Sequence, residues 1–538
     1  MLGMISLGDA LSGARFCRRL PAFLRHPIGL PEARVILRQR LERRAADFLG
    51  LVRHAVYEDP ESPYRRLLHR AGCQYGDLEQ LVSREGVEEA LRALLHAGVY
   101  LTHEELKGRR PVVRGALTLA VDPSRLRNRR VVGDLPLRSG GHQGSPTAMT
   151  VDLAFMRETN VNHACALDAR GGIPWRHAVW DVPGGAAIIK LLRLAGIGAP
   201  PARWFSQIDP AASGLHPRYR WSARALWWGG RLAGVPLPRA VHVPLDDPRP
   251  IARWMAETLR DGETPHLVTH ASAAVRLCLA ARSAGVEIRG AQATIAGEPV
   301  TDARMAEIRR SGVHAVAAYG SSDTGTAVAY GCSSPSAADD LHLFHDLAAV
   351  IQPGGVGPRV GLPAEALLLT SLRATAPLVL LNVALGDQAV VEERPCGCPL
   401  WELGWTTHLH TVRSFEKLTA GGMNFLDVDL IRVLDEVLPA RFGGGPTHYQ
   451  LVEEETAEGH PRLRLLVDPA IGPLDGAAVA EAFLTAIGGG SGAERVMGLL
   501  WHGGGFVTVE RRAPSSARGD KIQHLRRAPA RADPAARG

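Results

Sequence analysis

The sequence predicts an α/β protein in which a large, multi-layer N-terminal domain precedes a small α+β C-terminal domain. Three observations lead there. A chain of 538 residues with 46% apolar content exceeds the size at which one hydrophobic core keeps growing, so at least two domains are expected. From about residue 130 to 410, short apolar runs alternate with helix-length segments, as strands layered with helices do. Near Val412 the composition shifts and the order of elements changes.

Taken in order, residues 1–125 read as the helical N-terminal part of the large domain. Periodic segments run from Ala33 to His54 and from Gly86 to His96, separated by the turn-rich Asp59-Pro60-Glu61-Ser62-Pro63. Residues 126–412 read as the α/β body. Its strand candidates include Ala240 to Pro244, Ala293 to Ala296, Val313 to Ala318 and Ala366 to Thr370, and its helix candidates include Val151 to Glu158, Pro250 to Arg260 and Ala271 to Ala284. Residues 413–538 read as a small, mobile α+β domain with a basic tail. There a helix Asp427 to Leu438, strands Thr447 to Glu453 and Arg462 to Val467, a helix Asp475 to Ile487 and a strand Gly505 to Val509 follow one another.

Charge and composition narrow the function classes. The formal charge of +7 is scattered along the chain apart from the tail after Glu510, which reads as a solvated end, so no nucleic-acid partner is expected. No uninterrupted apolar run is long enough for a membrane span, since even Ala364 to Leu385 contains Arg373 and Asn382. Arg18, Arg19 and Arg25 are followed by no apolar stretch with a cleavage site, and the seven cysteines read as a reduced complement, so a cytoplasmic location is expected. The basic residues are almost all arginine. Only Lys107, Lys190, Lys417 and Lys521 are lysine. A lysine in such a chain merits inspection, because arginine replaces it poorly where a compact ammonium must reach a reacting oxygen.

The stretch from Gly297 to Asp346 is the richest in chemistry. Gly297-Glu298-Pro299 precedes a β-rich run that empties into Tyr319-Gly320-Ser321-Ser322-Asp323-Thr324-Gly325. Small hydroxyl residues around one carboxylate suit a nucleotide phosphate and its magnesium, because backbone N–H groups and hydroxyls approach oxygens only where side chains are small. Upstream, the glycine-rich Ser139-Gly140-Gly141-His142-Gln143-Gly144-Ser145-Pro146-Thr147 can form a phosphate-binding nest or a plain surface loop, and it lacks the Gly-Lys-Ser/Thr ending of a P-loop. Downstream, Asp387 closes an apolar run from Pro377 and stands at a strand end, either as a ribose acceptor or as a turn residue. Cys396-Gly397-Cys398 offers two thiolates that can share a tetrahedral zinc with two further ligands, or two buried thiols.

The order and spacing of these pieces resemble the adenylate-forming superfamily, and within it the phenylacetate coenzyme A ligase branch, from about Pro63 onward. Ser139 to Thr147 falls where that family has its Ser-Ser-Gly-Thr-Thr-Gly-Lys-Pro phosphate loop. Gly297-Glu298-Pro299 matches the adenine-contacting Gly-Glu-Pro, and Tyr319-Gly320-Ser321-Ser322-Asp323 matches Tyr-Gly-Leu-Thr-Glu. Asp387 is similar to the ribose-binding aspartate, Arg413 to the arginine before the interdomain hinge, Gly422-Met423-Asn424 to the Gly-Val-Asn after it, and Lys521 to the C-terminal lysine of adenylation. Ser62-Pro63-Tyr64-Arg65-Arg66-Leu67 resembles the family's Ser-Pro-Phe-Tyr-Arg-Arg opening. The branch also carries a cysteine and a Leu-His-Ile stretch, matched by Cys332 and Leu341-His342-Leu343, and a Cys-Pro-Cys-Gly motif near Cys396 and Cys398.

The resemblance implies ATP-dependent activation of a small-molecule carboxylic acid to an acyl adenylate, followed by transfer to coenzyme A. It implies Lys521, Asp323 and Ser322 as catalytic residues, with Asp323 holding Mg2+. Ser139, Gly141, Gly144, Ser145, Gly297, Glu298, Pro299, Tyr319, Gly320, Asp387 and Arg413 would bind the nucleotide, and Cys332, His342, Cys396 and Cys398 a structural Zn2+. A homodimer stays open as one assembly. Two other functions stay open: transfer to a carrier-protein or other protein thiol, and a nucleotide-binding protein that has lost catalysis. The chain departs from the family at three places. His142-Gln143 and Ser145 replace the paired threonines and the lysine of the phosphate loop, Asp323 replaces a glutamate, and Phe415-Glu416 and Gly421-Gly422 replace the charged hinge residues. His270 begins a helix where the branch has its acyl pocket, or is a core histidine; the tryptophans between Ala202 and Met255 read mostly as core.

Overall fold

A computed structural model describes residues 7–131, 135–138, 148–181, 184–207, 209, 217–414, 419–420, 423–424, 427–455, 461–487, 507–514 and 525–527. Its centre is a 12-stranded sheet among the described residues. From one edge the strands run Ala348–Ile351, Ala366–Ser371, Val383–Glu393, Thr407–Ser414, Leu341–Leu343, Ala327–Gly331, His314–Gly320, Gln292–Ala296, Pro265–Thr269, Arg176–Asp181, Arg203–Ser206 and Ala240–His242.

Two halves of different character meet at the His314–Gly320 strand. It lies parallel to Gln292–Ala296 on one side and antiparallel to Ala327–Gly331 on the other. Every pairing beyond Gln292–Ala296 is parallel, and every pairing beyond Ala327–Gly331 is antiparallel. Parallel pairing needs crossovers, which here are helices such as Gly185–Gly196, Arg249–Arg260, Ala271–Ser283 and Asp302–Arg310. Within the parallel half, chain order runs outward in both directions from the boundary between Arg176–Asp181 and Pro265–Thr269. That boundary is a topological switch point, and crevices at the C-terminal ends of such strands are where open α/β sheets bind ligands.

Two buried clusters flank this sheet. One joins the N-terminal helices to both sheet halves through residues such as Phe48, Leu67, Leu91, Ala293 and Leu368; the other gathers Leu20, Leu37, Leu191, Trp204, Phe344 and Trp405. The helix Leu153–Asp168 is buried over most of its surface and starts where Asp152 accepts a 2.8 Å hydrogen bond from the Phe155 amide. Its start lies two residues later than the sequence pattern suggests. Gly86 breaks the Tyr75–His96 helix with φ 86° and ψ 176°, which explains why the sequence pattern starts only there. A third cluster, including Leu434, Tyr449, Leu465 and Phe483, joins the helical segments within 427–442 and 476–487 to a separate four-stranded sheet of Val507–Arg511, Pro461–Val467, Tyr449–Glu455 and Leu525–Arg527.

Candidate functional site at the end of the sheet

The Gly297 turn and the Ser321 turn follow adjacent parallel strands, so they lie side by side at the C-terminal end of the sheet. Gly320 cannot carry a side chain, because a Cβ there would stand 2.3 Å from the Thr326 carbonyl oxygen. The next turn is closed by its own hydroxyls. The Ser321 Oγ accepts from the Asp323 and Thr324 amides, both at 3.2 Å, and the Thr324 Oγ1 accepts from the Ser321 amide at 3.0 Å. Ser322 and Asp323 are thereby held, half-buried, at its tip.

Asp323 is paired across 216 positions of sequence. The Lys107 Nζ lies 2.6 Å from its Oδ1, and both side chains are largely covered. A second cation approaches from the other side. Arg193 donates to the Thr326 hydroxyl at 3.0 Å, and burial of its guanidinium pulls it down to about 10.

Glu298 faces inward. Its carboxylate accepts from the Ser272 amide and hydroxyl, each at 2.8 Å, and from Arg304, whose Nη1 also donates to the Pro299 carbonyl at 2.9 Å. A carboxylate on the first turn of Ala271–Ser283 favours the helix end and fixes the Gly297 loop against it. Arg304, fully buried, also reaches Asp435 at 3.4 Å, linking this loop to the C-terminal segment.

Asp387 lies inside the Val383–Glu393 strand rather than at a strand end. Gly386 (φ 88°) and an irregularity between Gln388 and Val390 let the strand run on past it. Its Oδ2 accepts a 3.0 Å hydrogen bond from the Tyr319 hydroxyl. Arg413 sits on the neighbouring strand opposite Gln388 and is bound to Asp339 at 2.8 Å. Asp339 also accepts from the Thr411 and Val412 amides, holding Thr411 at its unusual φ of 53°. Ser139, Gly141, Gly144, Ser145 and Lys521 lie outside the described residues, as do Phe415-Glu416 and Gly421-Gly422. The strands Leu135–Arg138 and Ala148–Val151 pair as a hairpin that brackets the glycine-rich segment.

One buried constellation joins Lys190 and His270, each noted separately in the sequence, to Asp181, which was not. At the switch point Asp181 ends its strand fully buried, 2.6 Å from Lys190 Nζ and 3.1 Å from His270 Nε2, while His270 Nδ1 lies 3.0 Å from the Ala296 carbonyl. Burial alone would raise the Asp181 carboxyl; Lys190 and His270 outweigh it and hold it far below the usual carboxylate range. The available signal was the scarcity of lysine, which also applied to Lys107.

Cys332, His342, Cys396 and Cys398 converge, their ligand atoms all within 4.8 Å of one another. His342 Nε2 lies 3.1 Å from Cys398 Sγ and 3.6 Å from Cys396 Sγ. Its Nδ1 lies 2.6 Å from the Trp405 carbonyl, which can only accept, so the proton sits on Nδ1 and the Nε2 lone pair faces the thiols. A hydrogen bond from Cys332 lowers the Cys398 thiol, which favours the deprotonated form that a metal binds. Three sulfurs and one imidazole nitrogen are a donor set that fits tetrahedral Zn2+.

The fold is that of the adenylate-forming ligases. Among solved structures, the chain is similar to a 2-hydroxyisobutyryl-CoA ligase in the postadenylation state with R3-HIB-AMP, at 15% identity and a TM-score of 0.51 over 90% of this chain and 89% of that chain. It is equally similar to that ligase with 2-HIB-AMP, at 16% identity and a TM-score of 0.51 over 91% of this chain and 89% of that chain. No protein-family model and no curated protein matches the chain. No described helix is long and apolar enough to cross a membrane.

Proposed function

We propose that this protein is an AMP-forming acid–thiol ligase that converts a carboxylic acid to an acyl adenylate and then to a coenzyme A thioester. The observation that carries the reading is the meeting of three pieces at one end of the sheet: the Gly297 and Ser321–Asp323 turns follow adjacent parallel strands, and Tyr319, just before the second turn, holds Asp387. In the first step an acid oxygen attacks the α-phosphorus of ATP, a new P–O bond forms, the bond to the β-phosphate bridge breaks and pyrophosphate leaves. In the second a thiolate attacks the acyl carbon and AMP departs with the bonding electrons.

The first step brings two anions together, so positioning and neutralisation of charge dominate its barrier. Asp387 accepts from ribose hydroxyls, the Ser321–Ser322 turn and the Ser139–Ser145 segment donate to phosphate, and Lys521 bridges the acid carboxylate and the nucleotide. Asp323 is a hard oxygen ligand suited to Mg2+, which when bound neutralises phosphate charge. The segment after Arg413 closes for adenylation and turns for thioester formation. Cys332, His342, Cys396 and Cys398 would hold a structural zinc, whose role there would be to tie the strand after the Ser321 turn to the segment after Asp387. Together with Leu341-His342-Leu343 they favour the phenylacetate coenzyme A ligase-like branch.

Pyrophosphate release measured over a panel of aryl, fatty and amino acids, with and without coenzyme A, tests the reading. Release with one acid class and a coenzyme A-dependent thioester supports it. Release without a coenzyme A product redirects the acyl group to a protein thiol, and no release with any acid overturns the assignment. Lys521→Arg should abolish release while the fold persists.

A further inference from the structure

The glycine-rich segment has Ser145 where the resembling family has its lysine, so the sequence supplies no cation there. The structure brings one to the Ser321–Asp323 turn from a different part of the chain. Lys107 follows the short helix His103–Leu106, and its Nζ stands 2.6 Å from Asp323 Oδ1. We propose that Lys107 supplies the cation that meets the β- and γ-phosphates, in place of a phosphate-loop lysine. The inference rests on the nucleotide reading above.

The lysine is presented on a rigid platform. Leu101 bridges Val383, the first residue of the strand that also carries Asp387, so the segment bearing Lys107 is anchored to the edge of that strand. Thr102 and Glu105 cap the short helix reciprocally, and Glu105 is fixed in turn by a two-pronged contact with Arg114 at 2.8 and 2.9 Å. Gly108 turns the chain immediately afterwards. Its φ is +66°, and a Cβ there would lie 2.6 Å from the Val121 carbonyl oxygen, so the close approach that aims Lys107 requires glycine.

Chemistry favours the same assignment. An ammonium has three N–H donors; one engages Asp323 and two remain for phosphate oxygens. Arg193, the second cation described near this turn, is half-buried and engaged with the Thr326 hydroxyl rather than with Asp323. Lysine stands at only four positions of the chain, and here its compact charge on a flexible stem reaches a largely covered carboxylate.

The test is equilibrium binding of MgATP and of AMP to the full chain and to Lys107→Gln, Lys107→Met and Lys107→Arg, with unliganded thermal unfolding of each. Lys107→Gln keeps a donor for Asp323 and so guards against a folding defect in Lys107→Met. The expected result is a loss of about 10- to 100-fold in MgATP affinity for Lys107→Gln, AMP affinity within about twofold of the parent, and partial recovery in Lys107→Arg. Equal loss for both nucleotides, or loss for neither, overturns the proposal and makes the pair with Asp323 purely structural. A parent protein that binds neither nucleotide overturns the nucleotide reading itself, which is a separate failure.

Discussion

Tyr319 donates its hydroxyl proton to Asp387 across 3.0 Å, joining the strand at the junction of the two sheet halves to a strand 68 positions further along the chain. Burial drives the phenol well above its ordinary range, and the Asp387 charge adds to the shift, so the proton stays on the tyrosine. Tyrosine therefore fixes the orientation of the carboxylate proposed to meet ribose. Tyr319→Phe should weaken binding of AMP and ATP alike by about tenfold, the scale of one hydrogen bond to a charged group. Calorimetric titration checks this, and unchanged affinity for both would mean that the carboxylate is oriented without the tyrosine.

The thiol and imidazole cluster predicts metal in the purified protein. About one zinc per chain is expected by elemental analysis, because the three sulfurs and the oriented His342 nitrogen converge to ligand-like spacing. Cys398→Ser should lose the metal and lower the unfolding midpoint by several degrees, since binding free energy held by the folded state contributes to stability. Full zinc retention in that variant would place the metal elsewhere.

Buried neutral histidines set an acid limit on stability. His177 and His266 face each other at 2.8 Å between their Nδ1 atoms, and His266 Nε2 lies 2.9 Å from the Thr294 hydroxyl. Burial lowers His177 to about 4 and His266 well below its ordinary 6.5; it also lowers His345 to about 4. Between 6.5 and 4 the unfolded chain binds protons that the folded one does not, so folding stability is complete above pH 6.5 and falls as pH drops toward 4. Each ring contributes on the order of 1–3 kcal/mol to that loss. Denaturant unfolding followed from pH 7.5 to 4 should show the decline starting near the ordinary histidine pKa, and a flat profile down to pH 5 would exclude these rings as its cause.

Much of this architecture was readable from residue patterns, and its departures have physical reasons. Strands such as Ala293 to Ala296 and Val313 to Ala318 are short apolar runs closed by turn residues, and the structure has them as Gln292–Ala296 and His314–Gly320. Asp387 misled because the apolar run ends at Leu385, whereas a glycine at φ 88° and an irregularity carry the strand to Glu393. Cys332 and His342 reach Cys396 and Cys398 by antiparallel pairing of Leu341–Leu343 with Thr407–Ser414, a register that no local pattern states. Lys107 was legible only as a rare lysine. Its partner Asp323 lies 216 positions away and is reached through tertiary packing, including the Leu101–Val383 bridge that anchors its segment, which spacing along the chain does not encode.

The switch-point cluster yields the last prediction. Asp181 is fully buried between Lys190 and His270, and removing its charge would leave a largely covered ammonium facing an amide. Breaking a buried pair by neutralising one partner costs more than the pair contributes relative to an apolar replacement, because the remaining charge has lost its compensation. Asp181→Asn should therefore lower unfolding free energy by about 3 kcal/mol at pH 7. The pH dependence identifies the group responsible. Because the folded carboxyl is held far below the ordinary aspartate value of 3.8, the contribution is fully present above that value and is lost as pH falls below it. The difference between parent and variant should thus stay constant from pH 7 to 5 and begin to shrink only near pH 4. A difference that already shrinks between pH 7 and 5 would assign the titration to a histidine and overturn the ion-pair account of the crevice.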